Sequence, residues 1–396
     1  MSNKMDASDK SICKADETEK NPNLEIAQLK FLLALPEFAD DEAKSTRLLQ
    51  FIQRDNMAPY YEIVCTDLKW EVDNSMLEVM KDDNMKILLE FDTEIDYACN
   101  NLGSIDIKEA YLNKAYYLSK IGDKEQTIQT LRQAYANTIA LGYKLDNLFH
   151  CIRIGLFFND LELIGRNLLK CDELIEEGAD WHHRNCLKIY KGLYSLASRN
   201  FTLASEVLTN AIATFVCTEL ISFEVFIKYA ILSALLHLSR KDLKKEIITN
   251  PDVLQALHEN PSLKELVFSL YNCKYKDFFN RLAEVELEMQ HDMLLQPHYK
   301  FYVREMKIKS YDQLLSTYIS LNISYMAQQF GVTDEYIEKD VSEYIAARRL
   351  NYKIDKVSGK IHNISRERKA VMFEKIIRHG DLLLNRIQKF SKVINI

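Results

Sequence analysis

The sequence has few of the residues that interrupt helices. Its 396 residues include only 10 glycines and 6 prolines, about a third of the usual share. Glycine and proline are the least favourable residues in a helix interior. With 47% hydrophobic residues, their scarcity indicates a mostly helical protein of two or three domains with a sizeable core.

Paired cysteines and targeting segments are also missing. The eight cysteines are scattered without a Cys-x-x-Cys pair, which favours reduced, buried thiols over a disulfide or zinc framework. No signal peptide is visible, since the chain is polar and charged through Lys20. The most apolar window, Phe215 to Leu238, is interrupted by charged residues and indicates a buried helix rather than a membrane span. We therefore expect a protein of the cytoplasm and nucleus.

Motifs for catalysis are absent. The sequence contains no glycine-rich phosphate loop, no His-Glu-x-x-His, no Gly-x-Ser-x-Gly and no His-x-His pair. His182, His183 and Cys186 lie close together, but adjacent histidines point to different helix faces and no fourth ligand is apparent. We expect no enzyme activity, no metal, no cofactor and no small-molecule substrate.

A repeat is present from Lys108 onward. Helix pairs are predicted to turn at Gly122-Asp123, Asn159-Asp160, Arg199-Asn200 and Lys241-Asp242, a period of about 37 to 42 residues. This period is typical of a tetratricopeptide-like solenoid, in which each hairpin buries its apolar face against its neighbours. The second helices carry apolar residues at helical spacing: Ile128, Leu131, Tyr135 and Thr138; Ile164, Leu168, Cys171 and Ile175; Ala204, Leu208, Ala211 and Phe215.

The pattern changes after Tyr318. A short helix at 325–330 ends at Gly331, a second helix runs over about 334–348, and a hairpin turning at Ser358-Gly359 follows. Helix, turn, helix and hairpin predict a winged helix. The first strand of the hairpin carries alternating apolar residues, namely Leu350, Tyr352 and Ile354. The second strand runs back over residues 361–364.

Two uses of this winged helix are open from the residues alone. Winged helices often insert their second helix into the DNA major groove. Here that helix is acidic, with Glu335 and Glu343 among five acidic residues, and would repel phosphates. We expect nucleic-acid binding to be unlikely. The alternative is pairing of an exposed strand edge with a partner, with Leu350, Tyr352 and Ile354 as candidate interface residues.

The last predicted element is a long amphipathic helix from roughly Arg368. Its residues Leu383, Ile387, Phe390 and Ile394 are spaced by 4, 3 and 4, as in a coiled-coil seam. Residues 345–396 hold 13 Lys/Arg against 4 Asp/Glu. The helix either folds back on the solenoid or packs on helices of partner subunits, and its place after all other elements favours partners.

Several stretches together resemble the PCI-domain family, shared by the proteasome lid, the signalosome and a translation-initiation scaffold. The resemblance extends over nearly the whole chain and is closest to the lid members, through the N-terminal Met-Ala-Pro-Tyr-Tyr, the Tyr-Val-Arg-Glu-Met helix and the C-terminal helix. The matching stretches are Asn21–Leu24, Met57–Glu62, Ile121–Glu125, Lys191–Tyr194, Tyr302–Met306, Lys353–Val357 and Gly380–Arg386.

The resemblance implies a non-catalytic scaffold subunit of the proteasome regulatory particle lid. Its partners would be other lid PCI subunits, the lid deubiquitinase subunits and the ATPase ring of the base. A signalosome PCI subunit and a nucleic-acid-binding PCI protein of transcription or mRNA export are the alternatives. The predicted organisation is a disordered segment (1–20), an N-terminal helical region (21–107), tetratricopeptide-like repeats (108–250), a PCI domain (251–365, winged helix about 311–365) and a C-terminal bundle helix (366–396).

Overall fold

The computed structural model describes residues 20–363 and 368–394, except for the side chains of residues 368, 369, 371, 393 and 394. The predicted disordered segment therefore lies outside the described residues apart from Lys20, as does Ile364 at the predicted end of the hairpin. The fold is mostly α-helical with one small sheet, which confirms the predicted fold class. The chain divides into two compact units, Met1–Pro261 with Glu286–Tyr299, and Ser262–Val285 with Lys300–Ile396.

The first unit is helical throughout its described length. Its helices are α1 (Leu24–Ala34), α2 (Glu42–Arg54), α3 (Ala58–Leu68), α4 (Asn74–Asn101), α5 (Ser104–Ile121), α6 (Lys124–Ala136), α7 (Leu141–Phe157), α8 (Leu161–Glu176), α9 (Trp181–Ala197), α10 (Phe201–Ala211), α11 (Phe223–His237), α12 (Arg240–Leu243) and α13 (Pro251–Glu259). A π-helical turn, Lys244–Ile248, continues α12.

Antiparallel helix pairs α5/α6, α7/α8 and α9/α10 stack in order and form the predicted repeat. Each pair turns where the sequence predicts. Gly122 ends α5 at φ +82°, a left-handed conformation that suits glycine. The second residue of each turn caps the helix that follows. The side chains of Asp123, Asp160 and Asn200 each accept a hydrogen bond from a backbone N–H in the first turn of that helix.

The fourth predicted turn, at Lys241-Asp242, is wrong. Both residues lie inside α12, which begins after Ser239. The Ser239 side chain accepts a hydrogen bond from the Asp242 N–H, and its hydroxyl donates to the Asp242 carboxylate at 2.6 Å. With Ser239 as its N-cap, α12 begins at Arg240, three residues upstream of the predicted position.

The N-terminal helices have their own apolar core. Ile26, Leu48, Ile52 and Val64 are fully buried in a cluster that also includes Phe157 of α7. The Gln28 side chain holds α1 to the segment after α15, since its Oε1 accepts from the Met293 N–H at 3.1 Å. This segment belongs to the same unit.

The second unit contains the sheet. Its elements are α14 (Pro261–Tyr271), most of α15 (Tyr275–Gln290), α16 (Tyr299–Leu315), β1 (Ser320–Asn322), α17 (Ile323–Phe330), α18 (Asp334–Ala346), β2 (Tyr352–Asp355), β3 (Lys360–Asn363) and α19 (Arg368–Ile394). The strands are antiparallel in the order β1-β3-β2, with Leu321 opposite Ile361 and Ile361 opposite Ile354. The structure adds β1, which the sequence analysis missed.

An aromatic cluster holds the winged helix on the preceding helices. Phe330, at the end of α17, stacks on Tyr275 with ring centroids 4.8 Å apart and meets Tyr311 edge-on at 4.9 Å. The Tyr311 hydroxyl donates to the Asp340 carboxylate at 2.8 Å, which anchors α18 on α16. Burial, together with that carboxylate, raises the pKa of Tyr311. These contacts therefore fix the winged helix, including the edges of its sheet, on the helices that precede it.

Candidate interface for partner subunits

The apolar seam of α19 is uncovered. Leu383, Ile387 and Phe390 are 58%, 62% and 69% exposed. Every described side chain from Met372 to Lys392 is exposed or half-buried. The structure therefore leaves these three side chains in solvent, as the prediction of a partner-facing helix requires. Ile394 is the last residue of α19, and its side chain lies outside the described residues.

The seam is longer than predicted. Phe373 and Ile376 are also more than half exposed, and they continue the spacing of three and four residues through Gly380 to Leu383. The same spacing rule would have found them, had it been extended toward the start of the helix. We call Phe373, Ile376, Gly380, Leu383, Ile387 and Phe390 the α19 seam. The α19 seam is an apolar stripe about five helical turns long, and it narrows at Gly380, which has no side chain.

The polar face of α19 is stabilised locally. An ion pair joins Arg378 to Glu374 at 2.7 Å, one turn earlier. Among the described contacts, the hydrogen bonds of α19 side chains are to residues four positions away on the same helix. Such pairs contribute only about 0.2–0.5 kcal/mol each. In proteins, an amphipathic helix gains most of its stability from the packing of its apolar face. A groove on a partner would therefore stabilise α19.

The predicted strand-edge residues have a different environment. Leu350 and Tyr352 are buried in this chain's own core, and Ile354 packs against that core. The Tyr352 hydroxyl donates to the Asp312 carboxylate at 3.0 Å, and burial raises the pKa of this phenol. These side chains hold the hairpin in place, with Leu350 and Tyr352 buried and Ile354 partly buried. What β2 can offer is its backbone edge, because β2 pairs only with β3 among the described strands.

The hairpin turn is built by Asp355. Its carboxylate accepts from the Val357 N–H at 3.0 Å and from the Ser358 hydroxyl at 2.7 Å. The hydrogen bond from Ser358 is the main reason why the pKa of Asp355 is lowered. Gly359, at φ +63°, completes the turn in a conformation that favours glycine. The turn fixes the register of β2 against β3, and with it the position of the free edge.

The exposed face of α18 is acidic. Asp334, Glu335 and Glu343 are exposed, with Lys339 as the basic residue among them, while Ile337 and Val341 are fully buried. On the hairpin, Lys356 is paired with Glu338 of α18 at 2.6 Å. An acidic helix and a neutralised hairpin lysine do not suit a DNA phosphate backbone.

The His182, His183 and Cys186 group does not form a metal centre. Nε2 of His182 lies 3.6 Å from the Cys186 sulfur, whereas His183 faces Asp146 at 3.2 Å. Within residues 20–363 and 368–394, no group of three or more potential ligands is arranged around a common point. Among the described helices, none is both long and apolar enough to cross a bilayer.

Comparison with known proteins matches three parts of the chain. A family model described as 26S proteasome subunit RPN7 matches residues 73–246, a PCI-domain model matches residues 282–363, and a model of the C-terminal helix of the proteasome regulatory subunit RPN7/PSMD6 matches residues 374–394. The 26S proteasome non-ATPase regulatory subunit 6 of Dictyostelium discoideum is 39% identical over 96% of this chain and 99% of its own length. The chain belongs to the family of proteasome non-ATPase regulatory subunit 6.

Other members of the subunit 6 family agree. The homologue from Arabidopsis thaliana is 37% identical over 96% of this chain and 99% of its own length. The regulatory subunit RPN7 of Saccharomyces cerevisiae is 30% identical over 95% of this chain and 94% of its own length. These matches confirm the predicted family and favour neither a signalosome subunit nor a nucleic-acid-binding PCI protein. The C-terminal helix match contains most of the α19 seam, so this helix is a feature of the subunit 6 family as well as of this chain.

Proposed function

We propose that this chain is a non-catalytic scaffold subunit of the proteasome regulatory particle lid, supporting lid assembly and ubiquitin-dependent protein degradation. The observation that carries the proposal is the α19 seam, whose described apolar side chains are more than half exposed. Exposed apolar surface of this extent marks a site of association. The three matched family models, one of them centred on α19, support the same assignment.

In this proposal α19 packs into a bundle with helices of other lid subunits. Heptad spacing lets Leu383, Ile387 and Phe390, and with them Ile394, insert as knobs between side chains of facing helices. The gain is hydrophobic, because each side chain leaves water on docking. The basic surplus on the helix would add steering toward acidic partners.

The winged helix makes the second proposed contact. The free edge of β2 pairs with a strand of a neighbouring PCI subunit, so that small sheets continue from subunit to subunit. Leu350, Tyr352 and Ile354 act indirectly, by packing on the core and holding that edge in register. The backbone N–H and C=O groups of β2 then provide the bonds between subunits.

We further propose that the partners are the other lid PCI subunits, the lid deubiquitinase subunits and the ATPase ring, in the cytoplasm and nucleus. In this role the chain itself needs no catalytic group. The working domain division is the one predicted from the sequence: repeats at 108–250, a PCI domain at 251–365 and a bundle helix at 366–396. Nucleic-acid binding would be weak and indifferent to sequence, given the acidic surface of α18.

Truncation after Arg366 tests the proposal. The described side chains of α19 from Met372 to Lys392 are exposed or half-buried, so the truncated chain should remain folded and monomeric. It should fail to enter the lid on native gels, whereas the full chain enters. Circular dichroism and a melting curve check that the fold is intact. Incorporation of the truncated chain at the level of the full chain would contradict the proposal.

A further inference from the structure

A small cavity lies between α6, α7 and α8 of the first unit. Its volume is about 140 Å³, close to the size of an engineered protein cavity that binds benzene. Leu131 of α6, Leu148 of α7 and Leu163 of α8 form part of its wall and are buried. The cavity therefore has room for one small apolar side chain, but it is too small for a folded element.

Three basic side chains surround this cavity. Arg132 comes from α6, and Arg166 and Lys170 come from successive turns of α8. All three residues are exposed, and among the described residues that line the cavity none is acidic. Arg166 pairs with Glu162 at 3.3 Å, whereas Arg132 and Lys170 form no ion pair within the part of the chain that the structure describes. Positive charge at the cavity is therefore only partly balanced.

This positive charge acts on the interior of the cavity. Cys151 of α7 also lines the cavity and is 7% exposed. Burial raises the pKa of the Cys151 thiol to about 11, and the charges of Arg132 and Lys170 act in the opposite direction by favouring the thiolate. The same two residues would therefore stabilise an anionic group that a ligand brings to this place.

An amide donor at the cavity is unused. Asn147 of α7 lines the cavity and is 3% exposed, and its Nδ2 has no hydrogen-bond acceptor among the described residues. Asn167 also lines the cavity, but its Nδ2 donates to the Leu163 carbonyl at 3.0 Å within α8. A buried donor without an acceptor is costly, and a ligand with an acceptor oxygen would remove that cost at Asn147.

We propose that this cavity binds the C-terminal residue of a partner polypeptide that ends in a small apolar residue, such as valine, with a free α-carboxylate. Arg132 and Lys170 hold the carboxylate by charge-assisted hydrogen bonds. The Nδ2 of Asn147 donates to one of its oxygens. The apolar side chain leaves water and packs against Leu131 and Leu148.

The end of a chain fits these features better than an internal acidic segment or a phosphate does. An internal aspartate or glutamate has no apolar side chain on the same residue, and its chain has to continue in both directions from a cavity of this size. A phosphate would place a polar group against the leucines. Only a terminal residue combines a carboxylate and an apolar side chain on one Cα, and capture of a terminal carboxylate is a recurring mode of peptide recognition.

Fluorescence polarisation with the purified full chain tests the proposal, and it does not depend on lid assembly. The probe is a fluorescein-labelled Gly-Gly-Ser-Val peptide with a free carboxylate, in which the first three residues are only a spacer. We expect saturable binding, and the same peptide with an amidated end should bind about 10-fold to 100-fold more weakly. The absence of saturable binding, or equal binding of the two peptides, would overturn the proposal.

Two further probes test the other possible ligands. An amidated peptide with aspartate in place of serine should bind no better than the amidated parent peptide. Inorganic phosphate should not displace the probe when the two are at equal concentration. Binding of the aspartate peptide at the level of the free-acid probe, or full displacement by phosphate, would also overturn the proposal.

Variants locate the binding site. Arg132→Gln with Lys170→Gln should weaken binding of the free-acid probe to the level of the amidated peptide. Arg184→Gln with Lys188→Gln is the matched control, because it removes the same charges from exposed positions of α9 outside the cavity. The control should bind as the parent chain does. Parent-like binding by the first double variant would place the site elsewhere and contradict the proposal.

Asn147→Leu separates binding from stability. Leucine has nearly the same shape as asparagine and has no donor to leave unpaired, so the free energy of unfolding in urea should not decrease. Binding of the free-acid probe should weaken by about tenfold. Unchanged affinity in the folded variant would contradict the role given to the Asn147 amide. The exposed Arg132 and Lys170 substitutions decide the question of the site if this buried variant fails to fold.

Discussion

Replacing Leu383 and Phe390 together with aspartate should weaken the docking of α19 strongly while leaving the isolated chain folded. Both side chains are exposed in the chain alone, at 58% and 69%, and exposed substitutions usually change stability by no more than about 0.5 kcal/mol. In a bundle the same side chains would be covered. The double substitution therefore separates folding from assembly.

The size of the effect follows from the exposed area. Full burial of such a side chain contributes about 1.5–3 kcal/mol, so covering the exposed fractions of these two contributes roughly 2–4 kcal/mol in total. Each 1.4 kcal/mol corresponds to about a tenfold change in affinity. Docking should weaken by roughly 25-fold to 700-fold. An unpaired carboxylate in an apolar contact would add to this loss.

The assay is incorporation of the tagged chain into the lid on native gels, with thermal melting of the purified chain as the folding check. Asn385→Asp with Gln388→Asp is the matched control, because it adds the same two negative charges on the opposite face of α19. The control should assemble normally. Normal assembly of the Leu383→Asp, Phe390→Asp chain would show that the α19 seam does not mediate docking. Equal failure of the control would assign the effect to charge instead of the seam.

Three further predictions concern the fold and its surface. His150 is fully buried, and burial lowers the pKa of its imidazole well below the usual value. As the pH falls below about 6.5, the imidazole takes up its proton in the unfolded chain before it does so in the folded chain, so the free energy of unfolding decreases. His150→Leu should remove that loss, measured by urea unfolding at pH 7.5 and 5. Gly192→Ala should destabilise the chain by about 1–3 kcal/mol, because its Cβ would lie 2.3 Å from the buried Leu208 side chain; a melting temperature equal to that of the parent chain would disprove this. Duplex DNA binding should be weak and strongly salt-dependent, and submicromolar, sequence-dependent binding at physiological salt would overturn it.

The winged helix shows which structural features could be predicted from the sequence. Alternation around Tyr352 and Ile354 predicted the hairpin, and Gly331 predicted the end of α17, where it adopts φ +68°. These features depend on local chemistry. β1 was missed because it has three residues, and its existence depends on pairing between Leu321 and the distant Ile361.

The candidate interface was only partly predictable for a similar reason. Periodicity says which residues share a face, but it does not say what covers that face. For α19 the heptad spacing marked the apolar face, and the structure leaves Leu383 and Phe390 on that face exposed. For β2 the alternation was not enough: Leu350 and Tyr352 are covered by the chain's own helices, which leaves the backbone edge for a partner.

In our proposal this chain acts as an assembly subunit of the proteasome regulatory particle. The most direct test is affinity purification of the tagged full chain from its own cells, with ATP present, followed by mass spectrometry. We expect recovery of lid subunits, ATPases and core-particle subunits in stoichiometric amounts. Recovery of a signalosome set without ATPases, or of RNA and chromatin factors instead, would contradict it.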